Sequence, residues 1–288
     1  SEGLIPTAEI LKSTFDEIES VSLGSSASRI SVGFNDFDAM TAGLSPGDLI
    51  VIGGRPSMGK TSLALNMAKN VAQDHALPVC IFGFEMSKEQ LAYRLLSMEF
   101  GVETERLRTG RLLKEEWSKL SEEIDRLGKL PIFINDRRKI SVNEMLSQCQ
   151  EISERKGKEG LGLVVIDYVQ LMEGSTDDSR DEELSRIVVD VKEMATQLKV
   201  PLILLSQLNR DVELREERRP MLSDLRETQS LESHADMVVM IYRDEYYDPD
   251  TEDPGITELI TCKHRNGPLG TVKLLFEPQF TRFRNLEA

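Results

Sequence analysis

The sequence of 288 residues has little of several residue types, and each shortage excludes a class of protein. Its three cysteines lie far apart without a C-x-x-C pair, which predicts a reduced, cytosolic protein and not a disulfide-built one. The three histidines have no metal-ligand spacing with these cysteines. No apolar run approaches the ~18 residues that a membrane-spanning helix needs, so we expect no membrane partner. The start of the chain also lacks the basic and apolar regions of a signal peptide.

Positive side chains are outnumbered by negative ones. The chain has 35 Lys and Arg against 50 Asp and Glu, a formal net charge of −15. Taken alone, this charge argues against a nucleic acid as partner, because phosphates are bound by positive surfaces. With 40% hydrophobic and 30% charged residues, the composition is typical of a globular protein, and the length fits one or two domains. The chain does not begin with Met, which suggests an excised fragment.

The first twenty residues have the periodicity of an amphipathic helix, with Pro6 expected in its first turn. The apolar positions recur at steps of three and four: Leu4, Ala8, Leu11, Phe15 and Ile18. Residues 21–29 are rich in Ser and Gly and predict a flexible linker. Because so short a helix is marginal alone in water, its apolar stripe must dock, either on its own domain or on another chain.

From about residue 30, short apolar runs alternate with segments of helical period. The predicted strands are 48–52, 78–84, 131–134, 161–166, 201–205 and 237–242, and the predicted helices are 60–74, 87–100, 113–127, 141–156 and 183–198. Apolar strands separated by helices predict an α/β fold, a mostly parallel central sheet flanked by helices. After Gly255 the closely spaced strands 256–262, 271–276 and 281–284 predict C-terminal antiparallel hairpins.

A glycine-rich segment lies between the first predicted strand and the helix that follows it. Residues 54–61 match G-x-x-x-x-G-K-[ST], whose backbone N–H groups converge on an anion at a helix N-terminus. In such a loop Lys60 reaches the β and γ phosphates, and Thr61 offers its hydroxyl to Mg²⁺. The alternative is a turn that merely connects two elements. The predicted nucleotide-binding residues are Gly54, Arg55, Pro56, Ser57, Met58, Gly59, Lys60, Thr61, Ser62 and, from a later strand, Asp167.

Polar side chains follow three of the predicted strands. Asp167 ends an apolar run and fits a Mg²⁺ ligand, Glu85 can polarise an attacking water, and Gln207 can sense the γ-phosphate. Taken singly, an Asp or Glu after a strand is commonly only a helix cap or part of a solvated turn. Ligands of open α/β sheets bind outside the carboxyl ends of the strands, so we expect these groups to meet there. The guanine-binding string Asn-Lys-x-Asp does not occur, which favours ATP over GTP.

Six short strings follow one another in a familiar order and spacing. They are Arg-Pro-Ser-Met-Gly-Lys-Thr (55–61), Phe-Glu-Met-Ser (84–87), Val-Ile-Asp-Tyr-Val-Gln-Leu (165–171), Ser-Gln-Leu-Asn-Arg (206–210), Ser-Asp-Leu-Arg-Glu (223–227) and Lys-His-Arg-Asn-Gly-Pro (263–268). Over about residues 30–286 the chain thereby resembles the C-terminal motor domain of DnaB-type replicative DNA helicases. The resemblance implies a RecA-like ATPase that forms a homo-hexameric ring and translocates 5′ to 3′ on single-stranded DNA. It also implies ATP and Mg²⁺ as cofactors, a helicase loader and a primase as partners, and a bacterial cytoplasm, nucleoid or phage-infected cell as location.

The resemblance also implies roles for single residues. Lys60 and Thr61 become the phosphate and Mg²⁺ ligands, Glu85 the catalytic base, Asp167 the acid on Mg²⁺ and Gln207 the sensor. Lys263 and Arg265 resemble the pair that enters the neighbouring subunit's ATP site as an arginine finger. Their spacing predicts that both side chains leave one face of a strand, although a lone Arg there is often a solvated surface charge.

The same resemblance places DNA contacts at Arg226, Glu227 and Gln229, the last of which stands where the family usually has Gly. The stretch 210–226 holds five arginines and five acids, which by itself predicts a solvated loop. A second candidate channel loop is 173–183. An acidic exterior is compatible with DNA inside a ring, since a channel needs only a few donors per subunit and the outside then resists non-specific binding.

These implications divide the chain into a linker helix at 1–20, a flexible linker at 21–29 and an ATPase domain at 30–288. In the family the linker helix packs on the adjacent subunit, which makes Leu4, Leu11 and Phe15 interface candidates. Two alternatives stay open: a RecA-like recombinase or circadian-type ATPase, and an ATP-gated loader or assembly module that moves nothing.

Overall fold

A computed structural model describes residues 3–23, 29–156, 160–172 and 179–286, apart from the side chains of 156, 171 and 226–228. The helices are α1 Thr7–Ser22, α2 Asn35–Thr41, α3 Lys60–His75, α4 Lys88–Phe100, α5 Thr104–Thr109, α6 Lys114–Gly128, α7 Val142–Lys156, α8 Arg180–Leu198, α9 Gln229–His234 and α10 Asp244–Tyr247. The strands are β1 Leu49–Gly54, β2 Val79–Gly83, β3 Ile132–Asn135, β4 Leu163–Asp167, β5 Leu202–Gln207, β6 Met237–Tyr242, β7 Ile256–His264, β8 Gly270–Glu277 and β9 Arg282–Asn285. Short 3-10 helices lie at Val169–Leu171, Arg210–Leu214, Leu222–Thr228 and Pro278–Phe280.

The strands form one nine-stranded sheet in the order β3-β2-β4-β5-β1-β6-β7-β8-β9. Strands β1 to β6 run parallel, and β7, β8 and β9 continue the sheet as antiparallel neighbours. The prediction of a mostly parallel sheet with C-terminal antiparallel hairpins is therefore confirmed. In this order β1 lies between β5 and β6, so the loop that follows it emerges near the middle of the sheet.

Strand β1 explains why helices cover both faces of the sheet. All six of its residues are buried. Side chains alternate along a strand, so Ile50 and Ile52 pack in the apolar core on the α3 side, whereas Leu49 and Val51 pack in the core on the α8 side. A strand that is apolar on both faces is stable only when both are covered, which is the case here.

The antiparallel strands hold the C-terminal edge against the glycine-rich loop. In β8 every second residue is buried (Val272, Leu274 and Phe276), as expected for a strand covered on one face. The Phe276 ring stacks on Phe283 of β9 with centroids 4.3 Å apart. A Cβ at Gly59 would lie 2.9 Å from the Phe283 ring, so the loop approaches this pair as closely as a glycine allows.

The predicted strands differ from the observed ones by at most two residues at an end, and the long helices after α1 by at most three. The sequence did not predict α2, α5, α9 and α10, because helices of four to seven residues are too short to show a period. α8 begins three residues before its predicted start, where the Ser179 hydroxyl accepts a hydrogen bond from the Glu182 N–H.

The N-terminal helix is present with other bounds than predicted. It covers Thr7–Ser22 and not residues 1–20, and Pro6 precedes the helix instead of lying in its first turn. Residues 24–28 of the predicted linker lie outside the described part of the chain. No side chain of α1 is buried, and Phe15 remains 63% exposed. In the described residues, no helix is long and apolar enough to cross a membrane.

Candidate nucleotide-binding site

The glycine-rich loop connects β1 to α3 at the carboxyl edge of the sheet. Ser57 has φ 68° and Gly59 φ 92°, so the chain turns twice through the left-handed region before the helix begins. Gly54 packs so closely on β6 that a Cβ there would lie 2.5 Å from the Ile241 side chain. The first N–H groups of α3, which a helix cannot pair internally, therefore face the space above β1, as an anion site requires.

Lys60 is held inside this loop. Its Nζ donates to the Gly54 carbonyl at 2.7 Å and to the Arg55 carbonyl at 3.4 Å. Burial lowers the pKa of Lys60 to about 8, against the opposing effect of the Asp167 carboxylate. The ammonium thus lies in a poorly solvated position with only carbonyl partners. A phosphate that replaced these carbonyls would compensate the positive charge of Lys60.

Thr61 and Asp167 contact each other directly. The Thr61 hydroxyl donates to Asp167 Oδ2 at 2.8 Å, while Oδ1 of the same carboxylate is buried without a hydrogen-bond partner among the described residues. Burial raises the pKa of Asp167 despite the Thr61 hydrogen bond. A hydroxyl beside a buried, under-coordinated carboxylate fits a hard cation such as Mg²⁺, which usually takes one or two protein ligands and completes its shell with phosphates and water. Within the described ranges no group of three His, Cys, Asp or Glu side chains could hold a metal alone.

Glu85 follows the strand next to Asp167. Gly83 is the register partner of Asp167, and the Phe84 N–H donates to the Asp167 carbonyl at 2.9 Å. The Glu85 carboxylate is near enough to raise the pKa of Asp167 and to oppose the lowered pKa of Lys60. The predicted base and the predicted Mg²⁺ ligands are thus brought to one edge of the sheet.

Gln207 ends β5 beside the loop, with Gly54 as its register partner. A residue that the sequence did not single out, Gln170, fixes this strand end from the 3-10 turn after β4. Its Nε2 donates to the Gln207 carbonyl at 2.9 Å and to the Ser206 hydroxyl at 3.0 Å, and its Oε1 accepts from the Gln207 N–H at 3.1 Å. The strand ends that carry Asp167 and Gln207 are therefore tied together by one amide.

Arg94 of α4 is a second residue that sequence reasoning missed. Its guanidinium donates to the Ser62 hydroxyl at 3.2 Å. Burial lowers the pKa of Arg94, and the charges of Asp167 and Glu85 oppose that shift. The available signal was its spacing: with Leu91, Leu95 and Met98 it lies on the inward stripe of α4, where a charge is out of place.

Other predicted nucleotide-binding residues contribute differently to the loop. The Arg55 guanidinium contacts Glu213 at 3.1 Å and the Leu208 carbonyl at 2.7 Å, and the Met58 side chain is buried in the core. Pro56 and Ser57 are exposed, whereas the buried Ser62 hydroxyl accepts the Arg94 hydrogen bond. The Arg55 and Met58 side chains thus anchor the loop, and only their backbone is left to contact a nucleotide.

Lys263 and Arg265 lie far from this loop. β7 ends at His264, so Lys263 lies in the strand and Arg265 lies in the turn one residue beyond it. Both side chains nevertheless reach carbonyls at the end of α9, those of Glu232 and Ser233. Because the Arg265 N–H bonds to the Asp236 carbonyl, the pair lies at the amino ends of β1 and β6. The loop lies at their carboxyl ends, roughly 17 Å away for a strand of this length.

The predicted DNA-binding segment has the backbone of a 3-10 helix at Leu222–Thr228 followed by α9. Gln229 begins α9 and is exposed, while the side chains of Arg226 and Glu227 lie outside the described part of the chain, as do residues 173–178. Nearby arginines are neutralised: Arg215 pairs with Asp224 at 2.6 Å and Arg219 with Glu258 at 3.0 Å.

Comparison with known proteins agrees with this geometry. Residues 29–285 match the DnaB-like helicase C terminal domain. The chain is 44% identical over 282 residues to "Replicative DNA helicase DnaC" of Bacillus subtilis and 43% identical over 282 residues to "Replicative DNA helicase DnaB" of Geobacillus stearothermophilus. These alignments cover 97% of this chain but only 62% of each relative.

The solved structures that resemble this chain are also of ATPase and replicative helicase proteins. The chain is similar to a solved structure of an isolated ATPase domain, with TM-score 0.91 and 39% identity over 99% of this chain and 100% of that one. A structure described as a DnaB-like replicative helicase and its interactions with primase has TM-score 0.89 and 39% identity over 100% of this chain and 68% of the other. The chain therefore belongs to the DnaB-like helicase C terminal domain family.

Proposed function

We propose that this chain is the ATP-hydrolysing motor domain of a ring-shaped replicative DNA helicase. The proposal is supported above all by the distance between two groups of predicted site residues. Lys60, Thr61, Glu85 and Asp167 meet at the carboxyl edge of the sheet, while Lys263 and Arg265 are held at its amino edge. A chain built in this way can offer the latter pair only to the site of another chain.

In the proposed reaction the loop N–H groups and Lys60 bind the β and γ phosphates of ATP. Thr61 and Asp167 would hold Mg²⁺, which when bound neutralises charge on the phosphate oxygens. The Glu85 carboxylate orients the attacking water and accepts its proton, and Gln207 donates a hydrogen bond to the γ-phosphate. Arg265 of the adjacent subunit, beside its Lys263, stabilises the charge of the transition state, an effect worth about 10³- to 10⁵-fold in related enzymes.

The ring is proposed to be a homo-hexamer that encloses single-stranded DNA and moves 5′ to 3′. Arg226, Glu227 and Gln229 supply the channel contacts, and the acidic exterior keeps duplex DNA off the outer surface. A helicase loader and a primase are the proposed protein partners. The proposed location is the bacterial cytoplasm or nucleoid, or a phage-infected cell.

Assembly is proposed to use two exposed apolar faces of the chain. α1 presents Leu11 and Phe15, which are 62% and 63% exposed. α6 and the residue before it present Leu113, Trp117 and Ile124, which are 61%, 53% and 49% exposed, and none of the α6 side chains is buried. Contiguous exposed apolar faces of this kind mark interaction surfaces. If α1 packs on α6 of the adjacent subunit, both apolar faces are removed from solvent.

ATPase assays across the assembly range test the proposal. The rate per subunit should rise with protein concentration and again with single-stranded DNA, because the site is completed in trans. E85Q should keep ATP binding but lose about 10²- to 10⁴-fold in kcat, as loss of a general base does. A rate per subunit that does not depend on concentration would refute completion in trans, and filaments instead of rings in electron micrographs would favour a recombinase.

A further inference from the structure

Asp236 occupies the junction of three elements at the amino edge of the sheet. It is 8% exposed and lies between α9 and β6. Its Oδ2 accepts hydrogen bonds from the Leu49 N–H at 2.8 Å and from Lys192 Nζ at 2.7 Å. Its Oδ1 contacts the Arg265 guanidinium at 3.3 Å. Both oxygens of this buried carboxylate are therefore engaged, with a cation on each side.

The C-terminal end of α9 binds the same face of the turn. Lys263 Nζ donates to the Glu232 carbonyl at 2.5 Å, and the Arg265 guanidinium donates to the Ser233 carbonyl at 2.6 Å. The last carbonyls of a helix have no partner within it and carry partial negative charge, so cations are stabilised there. The Arg265 N–H also donates to the Asp236 carbonyl at 2.9 Å, which fixes the backbone of the turn.

We propose that Asp236 is a positioning residue for Arg265, and that α9 links the DNA-binding segment 222–229 to the Lys263–Arg265 pair. The proposal rests on the proposed function, in which Arg265 acts in the ATP site of the neighbouring subunit. Asp236 contacts no nucleotide in this arrangement. It contacts the guanidinium directly and so restricts its orientation.

α9 is short enough to act as a rigid connection. Its six residues span about 9 Å, with Gln229 at one end and the carbonyls that bind the cations at the other. An open surface groove of about 500 Å³, lined in part by Val189, Gln229 and Ser233, runs along α8 and α9, while Leu231 of α9 is fully buried in the core beside α8. A movement of segment 222–229 on DNA binding would be transmitted to Arg265 through the one and a half turns of α9. The displaced Arg265 would change the ATPase rate of the neighbouring subunit.

A double-mutant cycle separates positioning from a merely structural role. In D236N the amide oxygen still accepts the Leu49 N–H, but the charge that orients Arg265 is lost. We expect the DNA-stimulated kcat to fall about 10- to 100-fold with KM unchanged, as is typical for loss of a supporting contact. R265A should lower the DNA-stimulated kcat further than D236N does. Adding D236N to R265A should then cause no additional loss of kcat. Multiplicative losses in the double variant would overturn the inference.

Two further variants keep the test decisive. K192M removes the other cation from the same carboxylate. It should lower Tm as D236N does, but it should keep the ratio of the DNA-stimulated to the basal ATPase rate. If K192M lowers that ratio as much as D236N does, Asp236 acts through stability and not through positioning. Should D236N not fold, D236E retains the charge but displaces the carboxylate, and an undiminished kcat there would contradict positioning. If R265A itself has no effect on kcat, the trans-acting role fails instead of the inference about Asp236.

Discussion

The hydroxyl of Thr61 donates a 2.8 Å hydrogen bond to Oδ2 of Asp167, across 106 residues of sequence. The contact joins the start of α3 to the end of β4, two places that are far apart along the chain but share one edge of the sheet. Since Oδ1 of Asp167 is buried and has no partner among the described residues, the pair has coordination capacity to spare. A cation that accompanies the nucleotide is the simplest way to use it.

Substitution of Thr61 should therefore uncouple nucleotide binding from Mg²⁺. In the unmodified protein we expect Mg²⁺ to tighten binding of a non-hydrolysable ATP analogue by more than about tenfold, and T61A should lose this gain because one ligand is gone. T61S keeps the hydroxyl and serves as the matched control. Titrations with a fluorescent nucleotide, in Mg²⁺ and in EDTA, give the comparison. Full Mg²⁺ dependence in T61A would show that the cation is held elsewhere.

DNA affinity should depend on Arg226. R226A removes one cation from the proposed channel, so single-strand binding should weaken and its salt dependence should become shallower by about 0.7 in log K against log salt. Basal ATPase activity should stay unchanged. R108A, which removes an exposed arginine of α5 that pairs with Glu105 on the same helix, is the control. Fluorescence anisotropy with labelled oligonucleotides at several salt concentrations measures the affinity and its salt dependence. If R226A shows the same salt dependence as the unmodified protein, Arg226 does not contact the DNA.

Assembly should depend on the exposed stripe of α1. F15D places a charge on that stripe and should shift the protein toward monomer in sedimentation velocity, because burial of a charge in an apolar interface is unfavourable. S13D adds the same charge on the opposite face of the helix and should leave the sedimentation coefficient unchanged. Trp117 is the single tryptophan of the chain, so its emission should shift to the blue as rings form in the unmodified protein but not in F15D. Rings that persist in F15D would refute the docking of α1.

The stability of the core around α3 and α4 should depend on pH through Glu99. Burial raises the pKa of Glu99, but hydrogen bonds and charges from Lys69 and Arg126 outweigh it and hold the net pKa below the ordinary glutamate value. A carboxyl with a lowered folded-state pKa stabilises the protein above its unfolded pKa, and this contribution is lost as pH falls through the folded-state pKa.

E99Q should therefore lower the free energy of unfolding at pH 7 by about 1 to 3 kcal/mol, the usual cost of a lost charged partner. Below about pH 4 the gap should narrow, since the unmodified side chain also becomes neutral. Urea unfolding of both proteins at several pH values measures the gap. The exposed pair Arg108–Glu105 gives a control, because E105Q should change stability by less than about 1 kcal/mol at any pH. A gap that stays constant from pH 7 to the lowest pH at which both proteins fold would exclude an ionised Glu99.

Residues at strand ends could be predicted from the sequence because the pattern that places them is local. The apolar run before Asp167 and the glycines before Lys60 each define an edge position, and parallel strands bring such positions together. The start of α4 was equally accessible, since Ser87 and Gln90 form a capping box there.

Residues whose role depends on distant partners could not be predicted. Asp236 bonds to Leu49, Lys192 and Arg265, which share no spacing with it. Gln170 looks like one polar residue in an apolar stretch until β5 is placed beside it. The end of β7 at His264, one residue before Arg265, could not be located from alternation, which says where side chains point along a strand but not where the strand stops.

Unwinding of a forked duplex with a 5′ single-stranded tail is the decisive assay for a helicase motor, because nucleotide binding and ATP hydrolysis occur in many proteins that move nothing. With ATP and Mg²⁺ we expect strand separation that requires the 5′ tail, fails on a substrate with only a 3′ tail, and is abolished in K60A. Release of the strand by K60A at the unmodified rate, or ATP hydrolysis by the unmodified protein without any strand separation, would refute the proposed function.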